Sequence, residues 1–164
     1  MLKPDSLRAL LTAALPELTA EPERLDVQVR GGRLHANGAP GFAWEYRYQL
    51  RLLLLDFTGN ADAVCAPVLW WIARNQPELL ENPARQKAGA FGFDVDVLDG
   101  DKVDLEITLD LTERVRGAPR ADGGFDIVHL GEPADPDDDV RQWSLWIRDQ
   151  KIAEWVAPDG AGVL

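Results

Sequence analysis

Leu7, Leu10, Leu11 and Ala14 recur at helical spacing behind Pro4, which predicts a helix with one apolar face. Pro16 ends or bends it, and Pro22 marks a second break. Beyond Pro22 the period changes to two. Leu25, Val27 and Val29 alternate with Asp26, Gln28 and Arg30, the pattern of a half-buried strand. Gly31-Gly32 reads as a turn with Arg33 to Ala36 as its short partner, and Asn37 to Gly41 as a loop. From Phe42 the chain predicts one long strand. Phe42, Trp44, Tyr46, Tyr48, Leu50, Leu52 and Leu54 share a face. The opposite face is polar through Arg51 and turns apolar at Leu53, Leu55 and Phe57, so that half needs a cover on both sides.

Asp62 is positioned to cap a second helix carrying Val64, Val68, Trp71 and Ile72, with Pro67 loosening its first turn and Pro77 ending it. Residues 78 to 90 read as loop. Phe91, Phe93, Val95 and Val97, then Val103, Leu105, Ile107, Leu109 and Leu111, alternate with acids and predict a hairpin with odd-numbered residues inward. Paired residues that share a face have numbers summing to an even value, which excludes a two-residue Asp99-Gly100 turn. It predicts a three-residue loop, Leu98-Asp99-Gly100, with Gly100 left-handed. Arg114 to Gly124 reads as a loop and Phe125 to Leu130 as a short strand. After the acidic stretch Glu132 to Asp139, a last hairpin around Asp149-Gln150 puts Trp143, Leu145 and Ile147 on one face, Trp146 and Trp155 on the other.

These elements predict an α+β fold: a mostly antiparallel sheet packed against two helices, with a C-terminal β-hairpin extension. The expected organisation is a domain over 1–130, an acidic Pro/Asp linker over 131–140 and the hairpin over 141–164. The 164 residues are one domain's worth, and no apolar run approaches a membrane span. The first segment is interrupted by Pro4, Asp5 and Arg8, which predicts a chain made in the cytosol without a leader. A net charge of −11 argues against gripping a phosphate backbone, while a channel that DNA must traverse without sticking would benefit from it. Six tryptophans are a high load for this length and suit either a core or an interface.

No reaction chemistry emerges from the residue types. An EF-hand register ending on Gly100 and Glu106 begins at Val95, which cannot ligate calcium. His35 and His129 lack partners at metal-ligand spacing, and the single cysteine, Cys65, lies on an apolar helical stretch. Asp110 and Glu113 are candidates for a carboxylate pair, although many strand-to-loop junctions look the same, and no nucleophile elbow, P-loop or dinucleotide fingerprint occurs. No cofactor and no metal are predicted.

Three stretches together carry a resemblance. They are Met1 to Arg8; Tyr46 to Gly59 with Ala66-Pro-Val-Leu-Trp70 and Asn75-Gln-Pro-Glu78; and Leu109 to Arg114 with the closing Leu145 to Trp155 hairpin. The set resembles the tail completion protein R family of contractile-tailed temperate bacteriophages. The resemblance implies a non-enzymatic virion component of tail-terminator-like fold, assembled in the host bacterial cytoplasm. It implies a ring, a hexamer to match tail symmetry, that caps the head-proximal end of the tail tube. Its partners would be itself, tail tube and sheath proteins and head-tail connector proteins, with no specific nucleic acid and no membrane. On that reading Leu53, Leu55, Phe57, Trp143, Trp146 and Trp155 are candidate interface residues, and Asp94, Asp96, Asp104 and Glu106 a candidate acidic lumen wall. An acidic DNA mimic, or another protein-binding module, is the alternative. A small hydrolase using the carboxylates or Cys65 is a third.

Overall fold

The computed structural model describes residues 1–36, 42–132 and 142–156. The expected loop over 37–41, almost all of the expected acidic linker, and residues 141 and 157–164 of the expected hairpin extension lie outside them. The elements run α1 (Leu2–Ala14), α2 (Pro16–Ala20), a 3-10 turn (Pro22–Arg24), β1 (Leu25–Ala36), β2 (Ala43–Phe57), α3 (Asp62–Asn75), α4 (Glu78–Glu81) and α5 (Pro83–Lys87). β3 (Phe91–Val97), β4 (Val103–Pro119), β5 (Phe125–Leu130), β6 (Gln142–Ile147) and β7 (Gln150–Val156) follow. Strands β1, β2, β4 and β3 lie side by side in that order, every neighbour antiparallel, and β5 joins β4 on the same side as β3. The fold is α+β with an antiparallel sheet and a C-terminal hairpin, as the alternation predicts. Besides α1 and α3, three short helical segments fill the connections, α4 and α5 where a loop was expected.

The core is the interface between one face of β2 and β4 and the two long helices. Tyr48, Leu50, Leu52 and Leu54 stand opposite Leu111, Leu109, Ile107 and Leu105, and all eight are buried. Leu7, Leu10 and Leu11 of α1 and Val64, Val68, Trp71 and Ile72 of α3 close over them. Each such side chain contributes about 1.5–3 kcal/mol by leaving water. Helix α3 starts one residue earlier than a cap at Asp62 would allow: Ala61 is the cap, and Asn60 Oδ1 accepts the Asp62 N–H at 2.8 Å. Its first turn closes with short Ala63-to-Asn60 and Val64-to-Ala61 bonds, and the helix continues through Pro67.

Local twists correct several expectations. Gly31-Gly32 is a bulge rather than a turn. β1 runs straight on, and Arg33 to Ala36 pair with Arg47 to Trp44 of β2 rather than folding back. Gly31 takes φ +60°, where a glycine is favoured. β4 extends through the expected loop to Pro119, because Arg114 to Pro119 gain β5 as a partner. The β3–β4 pairs sum to an even value, with Phe91 opposite Leu109, but the register is one step from the expected one. The loop is Asp99-Gly100-Asp101, closed by the Leu98 N–H to the Lys102 carbonyl at 3.0 Å, with Gly100 at φ +76°.

Between β3 and β5 the edge of β4 has no strand partner, and the α3–α5 connection covers it. Gln76 is buried; its Oε1 accepts from the Thr112 N–H at 3.1 Å and from Lys3 Nζ at 2.8 Å, and its Nε2 donates to Thr112 Oγ1 at 3.1 Å. The Asp110 N–H donates to the Ala90 carbonyl at 2.7 Å. These bonds satisfy strand groups that would otherwise be buried unpaired.

Candidate functional site

Among the described residues the two long helices cover one face of the sheet, and the other is open and polar. Alternation places Asp26, Gln28 and Arg30 of β1, Glu45 to Leu55 (odd positions) of β2, Asp104 to Arg116 (even positions) of β4, and Asp94 and Asp96 of β3 on this face. Because the β1 bulge adds one residue, Arg33 and His35 rejoin it. Charge is unevenly spread along the strands. Asp94, Asp96, Asp104 and Glu106 stand together at the β3–β4 hairpin end, and Arg33, Arg47, Arg114 and Arg116 at the far end, where Glu45 pairs with Arg47 at 2.5 Å. Between them Arg51 Nη2 donates to Glu106 Oε2 at 2.6 Å. That bond holds the Glu106 carboxyl below its ordinary range and the guanidinium above its own. Asp104 accepts the Asp56 N–H at 2.9 Å, while Asp94 and Asp96 are exposed. A cavity of about 850 Å³ opens across this face between Arg30, Arg33 and Arg47 on one side and Glu78, Arg85 and Asp110 on the other.

On the helix side the sheet outruns its cover. Phe93, Val95 and Val97 of β3 point to the same side as the core residues of β4, yet Phe93 is 67% and Val97 79% exposed. At the opposite end Phe42 stacks on Phe125 at 5.5 Å between ring centres and meets Trp44 edge-on, and Phe125 and Ile127 are exposed. Residue alternation identifies these side chains as facing inward; it carries no signal that the helices stop short of them.

The candidate interface residues separate into two groups. Leu53 and Leu55 are half-buried on the open face. Phe57 is not beside them, and this corrects the expected face. An extra residue on β2 between Leu54 and Phe57, with Asp56 at φ +50°, turns Phe57 into the core at 1% exposure. Trp143 stands directly opposite Trp155, so they share a face, contrary to the expected split. The hairpin turn is Arg148-Asp149, with Arg148 at φ +52°, one residue earlier than expected, and a bulge follows Leu145. The Trp143 and Trp155 rings stack at 6.4 Å and 9°, both edge-on to Trp70 of α3, and the Arg74 guanidinium lies 4.0 Å from the Trp70 ring centre. Trp155 and Ala153 are buried with the main core, whereas Trp146 is exposed and donates to Ser144 Oγ at 2.9 Å.

The residues weighed for chemistry have structural surroundings. Glu113 is buried on the core face of β4. It accepts from Tyr48 Oη at 2.5 Å, from the Leu2 N–H at 2.9 Å and from the Lys3 N–H at 3.4 Å, with His129 Nδ1 3.4 Å away. It therefore caps α1 from across the fold, where helix dipole and free N–H groups favour a carboxylate. Burial, then the Glu113 contact, pushes the Tyr48 hydroxyl far above its ordinary pKa. Lys3, lowered by burial, binds the Asn75 carbonyl at the end of α3 and lies 3.6 Å from Glu132. Asp110 lies on the opposite face from Glu113, so the two form no pair. Burial and then Asp62 push the Cys65 thiol up, away from the reactive thiolate. Among the described residues no cluster of three or more His, Cys, Asp or Glu is placed to hold a metal, and no helix is long and apolar enough to cross a membrane.

The family model for P2 phage tail completion protein R matches residues 1–133. The chain belongs to this tail completion family. It is 36% identical over 155 residues to the tail completion protein R of Escherichia phage P2, covering 94% of this chain and 99% of that one. No solved structure matches it. The protein is thus a structural tail completion protein of a bacteriophage type. The family model ends at the start of the undescribed stretch, so β6 and β7 lie beyond it.

Proposed function

We propose that this tail completion protein acts as a closed ring of identical copies, a hexamer, seated on the head-proximal end of the tail tube. There it stops the tube, contacts tube and sheath proteins, and presents a surface to the head-tail connector. It belongs to the virion tail, is assembled in the host bacterial cytoplasm, and makes or breaks no covalent bond. The observation that carries this reading is family membership across residues 1–133. Large apolar side chains left in the open support self-association, since a monomer has no reason to show them to water. Leu53, Leu55 and Trp146 supply outward apolar contacts, while Phe57 and Trp155 hold the fold from inside.

The open polar face turns toward the channel. Asp94, Asp96, Asp104 and Glu106 then line its wall with carboxylates at one end, and Asp104, which has no basic partner among the described residues, keeps that end net acidic so that phosphates slide past rather than bind. The test is electron microscopy of tails assembled without this protein. Tubes of irregular length, or tails of normal length that carry no heads, are expected. Intact tails joined to heads in its absence would end the proposal, as would a purified protein that stays monomeric both free and on tubes.

A further inference from the structure

Both lateral edges of the sheet are open at opposite ends of the strand order. β1 bonds only to β2, and β3 only to β4, among the described residues. An exposed strand edge with bare apolar side chains is a template for another strand, and monomeric proteins blunt it. On β3, Phe93 and Val97 stand in the open beside unpaired backbone, so its only blunting is the two acids on the other face. Asp94 and Asp96 on its other face belong to no ion pair among the described residues. On β1, Val29 and Leu34 are exposed on the helix side, and Arg30 and Arg33 on the polar side are likewise without an ion pair.

We infer that β3 of one copy adds antiparallel to β1 of the next, so that a continuous sheet joins the subunits. This rests on the ring reading above. The strand path β1-β2-β4-β3 alternates in direction, so copies related by a simple rotation present β3 and the next β1 head to tail. No inversion of the subunit is needed, and the contact is between two different patches, as a ring requires.

Side-chain chemistry selects one register. Setting Val97 opposite Val29 puts Asp96 opposite Arg30. The extra residue of the β1 bulge falls opposite Val95, and pairing resumes with Asp94 opposite Arg33 and Phe93 opposite Leu34. Both acid–base pairs fall on the polar face and both apolar pairs on the helix face. At the bulge, a side chain placed on Gly31 or Gly32 would meet nothing within 4 Å, which leaves room for Val95. Without stagger, the row through Glu106 and Leu53 would set Asp94 against Asp26, two like charges. The selected register slides the neighbour by about 6 residues, roughly 20 Å, and closing a sheet on itself demands such a stagger.

The test uses the full chain with two charge-reversed variants, R30E/R33E and D94R/D96R, all at exposed positions. Each alone faces like charge at every joint and should need at least about tenfold more protein to assemble, free or on tubes. Mixed in equal amounts they should assemble like the wild type, because alternating copies restore opposite charge at both kinds of joint. A second measurement, independent of charge, places V29C and V97C in one chain with C65S; oxidation should give covalent multimers up to a closed ring. Variants that assemble singly as well as the wild type, or a cysteine pair that stays monomeric within assembled rings, overturn the β1–β3 joint and leave the ring standing. A wild-type protein that forms no ring under any of these conditions overturns the ring reading itself.

Discussion

Ile107 of β4 and Phe93 of β3 are cross-strand partners on the same face of the same sheet, yet one is 3% and the other 67% exposed. Their strands have the same alternation of apolar and acidic residues. The difference lies in what stands over them. α1 and α3 pack across β2 and β4; of β3 only Phe91 is packed against that core, and Phe93 to Val97 are left exposed. Alternation therefore reports which residues share a face, and the helix layer decides whether that face is a core or a contact surface.

The core face of β4 is most sensitive at Glu113, its one acid. Glu113→Leu leaves the Leu2 and Lys3 N–H groups and the Tyr48 hydroxyl without their acceptor and should cost about 3–5 kcal/mol in urea denaturation. Next is the pair itself. Ile107→Ala should lose about 2–5 kcal/mol of folding stability, while Phe93→Ala stays within about 0.5 kcal/mol and is felt in assembly instead. Equal losses at the two positions, measured by denaturation of the unassembled protein, would show that β3 is covered within the monomer.

The terminal hairpin sharpens the same distinction. Trp155 is buried against Trp70 and Trp143, and among the described residues its indole N–H has no hydrogen-bond partner. Trp155→Ala should cost about 3–5 kcal/mol and Trp155→Phe far less, since the phenyl ring keeps most of the packing and no hydrogen bond is lost. Trp146→Ala, at an exposed position, should leave the melting temperature nearly unchanged.

The smallest effect is electrostatic. Arg51 holds the Glu106 carboxyl below its unfolded pKa, so this pair stabilises the fold above the ordinary carboxylate range and loses its contribution as pH falls through the lowered value. The pair is partly exposed, and the effect should stay under about 1 kcal/mol. Arg51→Gln should flatten the acid limb of the stability–pH curve by that amount; an unchanged curve would show that the pair contributes nothing.

Much of the architecture was legible in local pattern. The helical spacing from Leu7 to Ala14, the two-residue period from Phe42 to Leu54 and the parity argument for the β3–β4 hairpin depend on side-chain direction, which the backbone imposes residue by residue. That legibility ended wherever one residue was added or a partner came from far away. The bulges at Gly31-Gly32 and after Leu54 each flip the parity of everything beyond them, which is how Arg33 came to the polar face and Phe57 to the core. β4 extended to Pro119 only because β5 was there to pair with it.

Local spacing was enough for the fold class, for the faces of the long strands up to their bulges, for the lack of familiar catalytic motifs and for the family resemblance. Long-range packing settled that Glu113 caps a helix, that Trp143 and Trp155 stack on α3, and that Phe93 to Val97 are left bare beside an open edge. The divide is one of range. Periodicity is written within a few residues by covalent geometry, whereas burial depends on where helices of fixed length come to rest, more than twenty residues away along the chain in the case of β3 and α3's starting point.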